Sequence, residues 1–490
     1  MRIVLFSMPD MVPAFKGWRP PNLAISSIAG NLRNHDVYLA DLILVRQKLT
    51  SAIKNTLLTY KPELVGISSM SFQFYTARRI ASFIKELDSN IKIVLGGYHA
   101  TLMYKEIGEE EESGPFDFIL RGESDLSFGE LVNSFEKKTS YRDVRGLSFR
   151  QDGVFVHNQP RPIEDLTKIA LPQRTNRIWK GYTFGVKQLD IVETSRGCTM
   201  PCNFCSMNHM YGRKFRTYAI ERVIKDISNA KEQGAKYLAI ADDNITLNTK
   251  RFEELCDAIT QAGHNDIRYI VQTSCSGIAS SKTLSAKMAR AGFEFVFLGI
   301  ENVSTRNLKM MKKGNILESI KRAVDLLHKH HMLIIGGMII GNQEDREEDI
   351  AQNYEFFDRH NIDFISDQIM TPYPKTIIRE ELIKAGLVSN LEDYRKYNGF
   401  WANVRSQHLS SEDLQFLKWK YKRKYSTFFK TTPSFKARFP LVNLLRVLLL
   451  RPYFRIKDGT RSLLRTEREI FQEDMDKFNH LNDFRELDSV

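Results

Sequence analysis

Three cysteines, Cys198, Cys202 and Cys205, fall within eight residues in the run Arg196-Gly197-Cys198-Thr199-Met200-Pro201-Cys202-Asn203-Phe204-Cys205. Thiolates at such close spacing let one loop wrap a single centre, and cysteine thiolates are the usual ligands of iron–sulfur clusters. Three ligands for four irons leave one iron open, which is what a cluster engaged in substrate chemistry requires. Zinc is the alternative, but it usually takes a fourth Cys or His from a short knuckle, and His209 is the residue near enough to consider. The chain has five cysteines, and an odd count with three crowded together is no disulfide framework. It suits a reducing compartment. Cys256 shares a helical pattern with Phe252 and Leu255 and reads as core. Cys275 ends a strand that faces the same site.

A loop of this kind needs a scaffold that presents strand ends. Apolar runs at 190–194, 237–241, 269–273, 295–300, 333–340 and 364–370 alternate with helical patterns such as Val223, Ile224, Ile227 and Ala230. The alternation predicts a (β/α)6 partial TIM barrel over residues 186–385, with function at the C-terminal ends of its strands. The cysteine run follows the first of them. Upstream, runs at 3–6, 37–40, 64–67, 93–95 and 118–120 alternate with helical spacings such as Ile80, Phe83, Ile84 and Leu87. These predict a Rossmann-like, doubly wound α/β domain over residues 1–135. Residues 136–185 carry a hairpin signal around Asp152-Gly153, then Pro160, Pro162 and Pro172, and read as a linker. Residues 386–490 turn helical, aromatic and basic. No Gly-x-Gly-x-x-Gly follows the first strand, which disfavours a nicotinamide site.

The net charge of +12 is concentrated. Residues 414–457 hold twelve Lys or Arg and no Asp or Glu, leaving 59 of the 71 basic residues against 59 acidic ones. Aromatic residues, Phe428 and Phe429 among them, interleave with these bases, and the apolar run 441–450 lies between Arg438 and Arg451. That run is too short to span a bilayer but suits a helix lying in the interface. Nucleic-acid binding competes with this reading but is less favoured; a buried helix with a solvated basic flank is the plain alternative. No segment reaches the roughly 18 uncharged apolar residues of a spanning helix. The first apolar run stops at Met8-Pro9-Asp10, too early for a signal peptide. A cytoplasmic protein, peripheral on the inner membrane face through 414–457, is the expectation.

The cysteine spacing, with Phe204 just before the last cysteine, resembles the radical S-adenosylmethionine superfamily. That resemblance implies a [4Fe–4S] cluster on Cys198, Cys202 and Cys205, with S-adenosylmethionine on the open iron and a 5′-deoxyadenosyl radical as its product. Further strand ends match in register, and the resemblance assigns S-adenosylmethionine contacts to them and to Phe204. Asp242 and Asp243 stand where the family binds the methionyl ammonium, in place of its usual Gly-Gly-Glu. Carboxylates suit an ammonium, whereas a helix N-cap is the structural alternative. Glu301, after Gly299-Ile300, resembles the ribose contact. Gly337 and Gly341 fit the Gly-x-Ile-x-Gly-x-x-Glu pattern at the adenine.

The upstream domain resembles the cobalamin-binding domain often fused to this barrel, in Pro20-Pro21-Asn22-Leu23-Ala24 and Arg121-Gly122-Glu123 and around two further strand ends. The resemblance implies cobalamin at Ser68, Ser69 and Met70 and at Gly96, Gly97 and His99. The Asp-x-His-x-x-Gly cobalt-binding motif is absent, so the lower axial ligand is open, and His99 is expected at the corrin periphery or in packing. The expected activity is C-methylation of an unactivated carbon in a hydrophobic small molecule, served by an electron donor such as flavodoxin or ferredoxin. The alternatives are a radical cyclase, as in anaerobic magnesium-protoporphyrin monomethyl ester cyclases, carbon–carbon bond formation between lipid chains, and a non-catalytic cobalamin or iron–sulfur sensor. No residue is assigned to the catalytic step itself.

Overall fold

The computed structural model describes residues 1–13, 17–110, 114–314, 316–425 and 431–487; Phe428 and Phe429 lie outside them. The chain forms two compact units. One comprises Met1–Cys198, Ser206–Leu238 and Asn482–Val490, the other Thr199–Cys205 and Ala239–Leu481.

The first unit is built on seven strands: β1 (Arg2–Ser7), β2 (Asp36–Asp41), β3 (Leu64–Ser68), β4 (Lys92–Gly96), β5 (Phe118–Leu120), β6 (Leu147–Gln151) and β7 (Val154–His157). Their order is β2-β1-β3-β4-β5-β6-β7. The first five pair in parallel and the last two antiparallel. Along β1, Val4 and Phe6 enter one hydrophobic core while Ile3 and Leu5 enter the other. Both faces of the sheet are therefore covered, which is why its strands read as unbroken apolar runs. The order reverses between β1 and β3, and sheets of this type bind ligands in the crevice at the strands' C-terminal ends there.

The hairpin at 147–157 is an integral part of this sheet, although its segment reads as a linker. Phe149 pairs opposite Phe118, and Leu147 and Phe149 alternate into the core. The chain's last described residues return to the same unit. Glu486 accepts hydrogen bonds from the Leu49 N–H at 2.8 Å and the Thr50 hydroxyl at 3.0 Å. It thereby caps the helix Leu49–Tyr60, whose own N-cap residue Lys48 makes no side-chain cap.

The six barrel strands expected from the sequence all form: β8 (Lys187–Val192), β9 (Tyr237–Ile240), β10 (Arg268–Ser274), β11 (Phe293–Glu301), β12 (Leu333–Ile340) and β13 (Phe364–Ile369). Within the second unit β10 to β13 pair in parallel and in chain order. Amphipathic helices cover the outer face; Leu317–His328 buries Ile320, Ala323, Val324 and Leu327, and Glu347–Arg359 buries Ile350, Tyr354 and Phe357. This is the α/β half-barrel anticipated from the alternation.

The helix Ser411–Lys424 packs on β13. Asp367 of β13 accepts from the Tyr354 hydroxyl at 2.7 Å and pairs with Lys422. The buried Lys418 donates to the Phe400 carbonyl at 3.1 Å. Part of the basic segment is thus structural. No helix among the described residues is long and apolar enough to cross a membrane.

Candidate active site

The cysteine loop is held on both sides. Before it, Gly197 adopts φ +84°, and a Cβ there would sit 2.2 Å from the Lys214 carbonyl oxygen, so only glycine fits. Arg196, buried, reaches the Asp125 carboxylate at 2.7 Å and Glu123 at 3.1 Å, and pairs with Glu193 at 2.9 Å. Arg216 donates to that same Glu123 oxygen at 2.8 Å and to the other at 3.0 Å. Burial pushes the Asp125 carboxyl up, but Arg196 beside it, with Ser27, more than reverses this and holds it below the usual carboxylate range. Glu123 of the Arg-Gly-Glu loop thus ties strand-end backbone to the start of the cysteine loop.

Within the second unit Asn203 fastens the rest of the loop. Its Nδ2 donates to the Met310 carbonyl at 3.0 Å and to Glu381 at 3.2 Å, and its carbonyl accepts from the Ile378 N–H at 3.2 Å. Cys202 is buried, Cys198 and Cys205 are half-buried, and Phe204 is half-buried between the last two. Among the described residues no three His, Cys, Asp or Glu side chains are gathered around one point as a single metal ion would need. Ligands to separate irons of a cluster need no such convergence.

Lys313 is the residue the spacing analysis missed. Its ammonium is 3.0 Å from the Glu301 carboxylate, both being largely buried. Burial pushes Lys313 down, but Glu301 and then the Cys202 sulfur more than compensate, so it stays firmly protonated. Glu301 ends β11 at φ +65°, left-handed backbone uncommon for this residue type. The ladder between β11 and β12 shifts register there, between Gly299 and Glu301. A carboxylate, an ammonium and the Cys202 sulfur therefore share one strand-end neighbourhood. Cys275 lies there too; its thiol donates to the Gly299 carbonyl at 3.3 Å, and burial pushes it up to about 12. A thiol so placed is inert as a nucleophile. Cys256 is fully buried, as expected of core.

The two aspartates after β9 differ in environment. Asp242 is fully buried and lies near Arg251, where it opposes the downward pull of burial on the guanidinium. Asp243 is half-buried. The following Asn244 accepts from the Thr246 hydroxyl at 2.6 Å, and Thr246 meets Ser274 of β10 at 3.0 Å, tying adjacent strand ends together.

The glycines of β12 answer first to the protein itself. A Cβ at Gly337 would lie 2.7 Å from the Phe297 ring, and Gly341 has φ +81°. Its turn is organised by the buried Asp345, which accepts from the Gly341 and Asn342 N–H groups at 2.9 Å each and from Asn307 at 2.8 Å. Glu344, the acid of the motif, is more than half exposed.

In the first unit the strand-end loops form a close cradle. Gly97 has φ +98°, and a Cβ would come within 2.5 Å of the Ser69 carbonyl oxygen. The Ser69 N–H donates to the Gly96 carbonyl at 3.0 Å. Gly96 has space, its nearest neighbours being 4.0 Å from a Cβ. Ser68 is half-buried and Met70 is 44 % exposed. His99 is buried against the Phe74 ring, centroids 4.2 Å apart. Burial pulls its pKa down to about 3, so it packs as a neutral ring. Thr101, two residues on, lies 3.9 Å from the Met210 sulfur, in the helix Met207–Tyr211 that follows the cysteines.

Comparison with known proteins adds the following. Residues 192–356 match the family model of the radical SAM superfamily, and residues 18–132 match that of the B12 binding domain. An uncharacterized methyltransferase of Pyrococcus horikoshii is 29 % identical over 424 residues, spanning 84 % of this chain and 90 % of its own. The anaerobic magnesium-protoporphyrin IX monomethyl ester cyclase of Synechocystis is 28 % identical, with 76 % and 75 % covered. The hopanoid C-3 methylase of Methylococcus capsulatus is 25 % identical, with 72 % and 67 % covered. Among solved structures, the cobalamin-dependent S-adenosylmethionine radical enzyme OxsB superposes with TM-score 0.70 at 16 % identity, over 98 % of this chain and 75 % of that one. The radical methyltransferase TsrM of Kitasatospora setae gives 0.65 at 18 % identity, over 79 % and 77 %.

Proposed function

From the premise that this chain is a cobalamin-dependent radical S-adenosylmethionine enzyme, we propose that it methylates an unactivated carbon of a hydrophobic small molecule. The observation that carries the site assignment is the Lys313–Glu301 pair beside Cys202. It supplies fixed charges of both signs where a zwitterionic, ribose-bearing ligand of a cluster would lie.

The family's cofactors are a [4Fe–4S] cluster, S-adenosylmethionine and cobalamin; bound here, they would supply a hydrogen-abstracting radical and a transferable methyl group. Cys198, Cys202 and Cys205 would hold the cluster, and Lys313 would offset the negative charge of its thiolates. Asp243 is the better candidate for the methionyl ammonium, since Asp242 is buried near Arg251. Glu301 would meet the ribose, Phe204 would pack beside the ligand, and Gly337 and Gly341 would keep β12 flat along the adenine. The cradle of Ser68, Ser69, Met70, Gly96 and Gly97 would take the corrin, with His99 supporting it from the core. Electrons would come from a flavodoxin- or ferredoxin-type donor. A hydrophobic substrate would be met at the cytoplasmic face of a membrane.

The test is anaerobic reconstitution with iron, sulfide and hydroxocobalamin, then incubation with S-adenosylmethionine and a low-potential reductant such as dithionite, and assay of 5′-deoxyadenosine and S-adenosylhomocysteine. Extracts of cells with and without the protein are then compared by mass spectrometry for lipids and tetrapyrroles. A product gaining one methylene unit supports methylation. One losing hydrogens without that gain supports cyclisation, the reading favoured by the cyclase relative. Absence of both 5′-deoxyadenosine and S-adenosylhomocysteine, in protein carrying cluster and corrin, overturns the catalytic reading.

A further inference from the structure

The helical run from Pro440 to Leu464 is continuous through a π-helical stretch at Arg446–Leu450. Between Leu441 and Leu450 its exposed side chains are all apolar. Leu441 is 74 % exposed, Leu445 56 %, Leu448 60 %, Leu449 62 % and Ile456 69 %. Scattered exposed leucines are ordinary, but a contiguous stripe marks an interaction surface. At helical spacing these five side chains fall on one side.

The inward side explains the run's orientation. Arg446 is buried with its guanidinium 4.3 Å over the Phe435 ring, and Arg451 donates to the Thr431 hydroxyl at 2.8 Å. Arg446 within the leucine run and Arg451 just after it thus anchor the helix inward, and no outward position from Leu441 to Leu450 is charged.

We propose that this face is a docking surface for an anionic lipid bilayer. Three observations select lipid over a protein partner. The run is about 37 Å long at 1.5 Å per residue, yet too interrupted by charge to span, so it suits a helix lying flat in the interface. Tyr453, 59 % exposed, borders the leucines, and tyrosine favours the headgroup level. Several bases of residues 414–457 are buried or paired with acids, but Lys424 and Lys436 among them are exposed, which complements anionic headgroups. The inference deepens the proposed hydrophobic substrate by saying where it is met, but the binding itself rests on the surface alone.

The test is co-sedimentation of the full-length, cluster-loaded protein with vesicles. Phosphatidylcholine alone is compared with an equal mixture of phosphatidylcholine and phosphatidylglycerol, at low and high salt. Strong binding to the anionic vesicles, weakened by salt and reduced roughly tenfold or more in the triple variant L445S/L448S/L449S, supports the proposal. These residues are solvent-exposed, and an unchanged cluster absorbance would confirm that the variant folds. Wild-type protein that stays in the supernatant overturns it, as does a triple variant that binds as well as wild type. A wild-type dimer that the triple variant converts to monomer, or retention on RNA but not on vesicles, would also overturn it. Cleavage of S-adenosylmethionine is measured on the same samples. Normal cleavage without vesicle binding refutes the surface alone, whereas vesicle binding without cleavage refutes the catalytic reading alone.

Discussion

Lys313 illustrates how one side chain acquires a role from neighbours remote in sequence. Its charge is balanced by Glu301 and lies near the Cys202 sulfur in a largely buried pocket. Removing one member of a buried pair typically costs about 3–5 kcal/mol, because the other charge is left uncompensated. Lys313→Met should therefore destabilise the second unit by about 3 kcal/mol or more in denaturant titration. The double change with Glu301→Gln should recover part of this stability without restoring S-adenosylmethionine binding. Full recovery of binding would show that the pair serves only the fold. The cysteines make a sharper residue-scale prediction. Replacing Cys198, Cys202 and Cys205 together by Ala should abolish the bound iron and the charge-transfer absorbance of an anaerobically reconstituted sample. Cys256→Ala should leave both intact, since that thiol is sealed in core.

Strand ends and the helices after them are where backbone geometry becomes binding geometry. At the end of β4 two adjacent glycines differ in what they permit. Gly97→Ala collides with the Ser69 backbone and adds left-handed strain, so it should unfold the first unit at lower temperature. Gly96→Phe has room at its Cβ and should fill the crevice, reducing cobalamin retention while far-ultraviolet dichroism stays unchanged. Corrin bound equally well by Gly96→Phe would move that site elsewhere. In the helix Ser411–Lys424, burial pulls the Lys418 ammonium down to about 7. Between pH 7 and about 10 the unfolded chain therefore holds a proton that the folded one has released, so stability rises with pH across that window. The slope from this group is at most about 1.4 kcal/mol per pH unit. Lys418→Met should raise the thermal midpoint at pH 7 and narrow its gain between pH 7 and 10. Phe400 keeps a donor in that variant, since Gln415 also reaches its carbonyl at 3.1 Å.

For the whole molecule, the return of the C-terminal residues to the first unit is the feature with a measurable consequence. Glu486 satisfies the Leu49 N–H at a helix start that lacks its own side-chain cap. Asn482 exchanges hydrogen bonds with the Met11 backbone at 2.9 Å in each direction. Glu486→Ala should cost about 1 kcal/mol, the usual value of a lost helix cap. Deleting residues 482–490 should cost more. Limited proteolysis should then cut first in the helix Leu49–Tyr60, and protection there equal to wild type would show that the strap adds nothing.

The alternation of apolar runs and helical spacings determined both sheets, because strand and helix periodicity are local properties of the chain. The cysteine triplet was legible for the same reason, its members being separated by only a few residues. The hairpin at 147–157 was legible as a hairpin but not as an edge of the first sheet, since its partner Phe118 lies some thirty residues upstream. Side-chain pairing, which no periodicity encodes, hid Lys313 from Glu301 twelve residues away, Asp125 from Arg196 seventy-one residues away, and Asp345 as the organiser of the turn at Gly341 four residues before it. It also hid the difference between Asp242 and Asp243, adjacent in sequence but unequal once Arg251 folds back near the first. The apolar run 441–450 was visible in the sequence, but whether it is core or surface was not. Hydrophobicity states what a segment costs to expose, and only packing decides which face goes uncovered. Tertiary structure turned Arg446 inward and left the leucines outside.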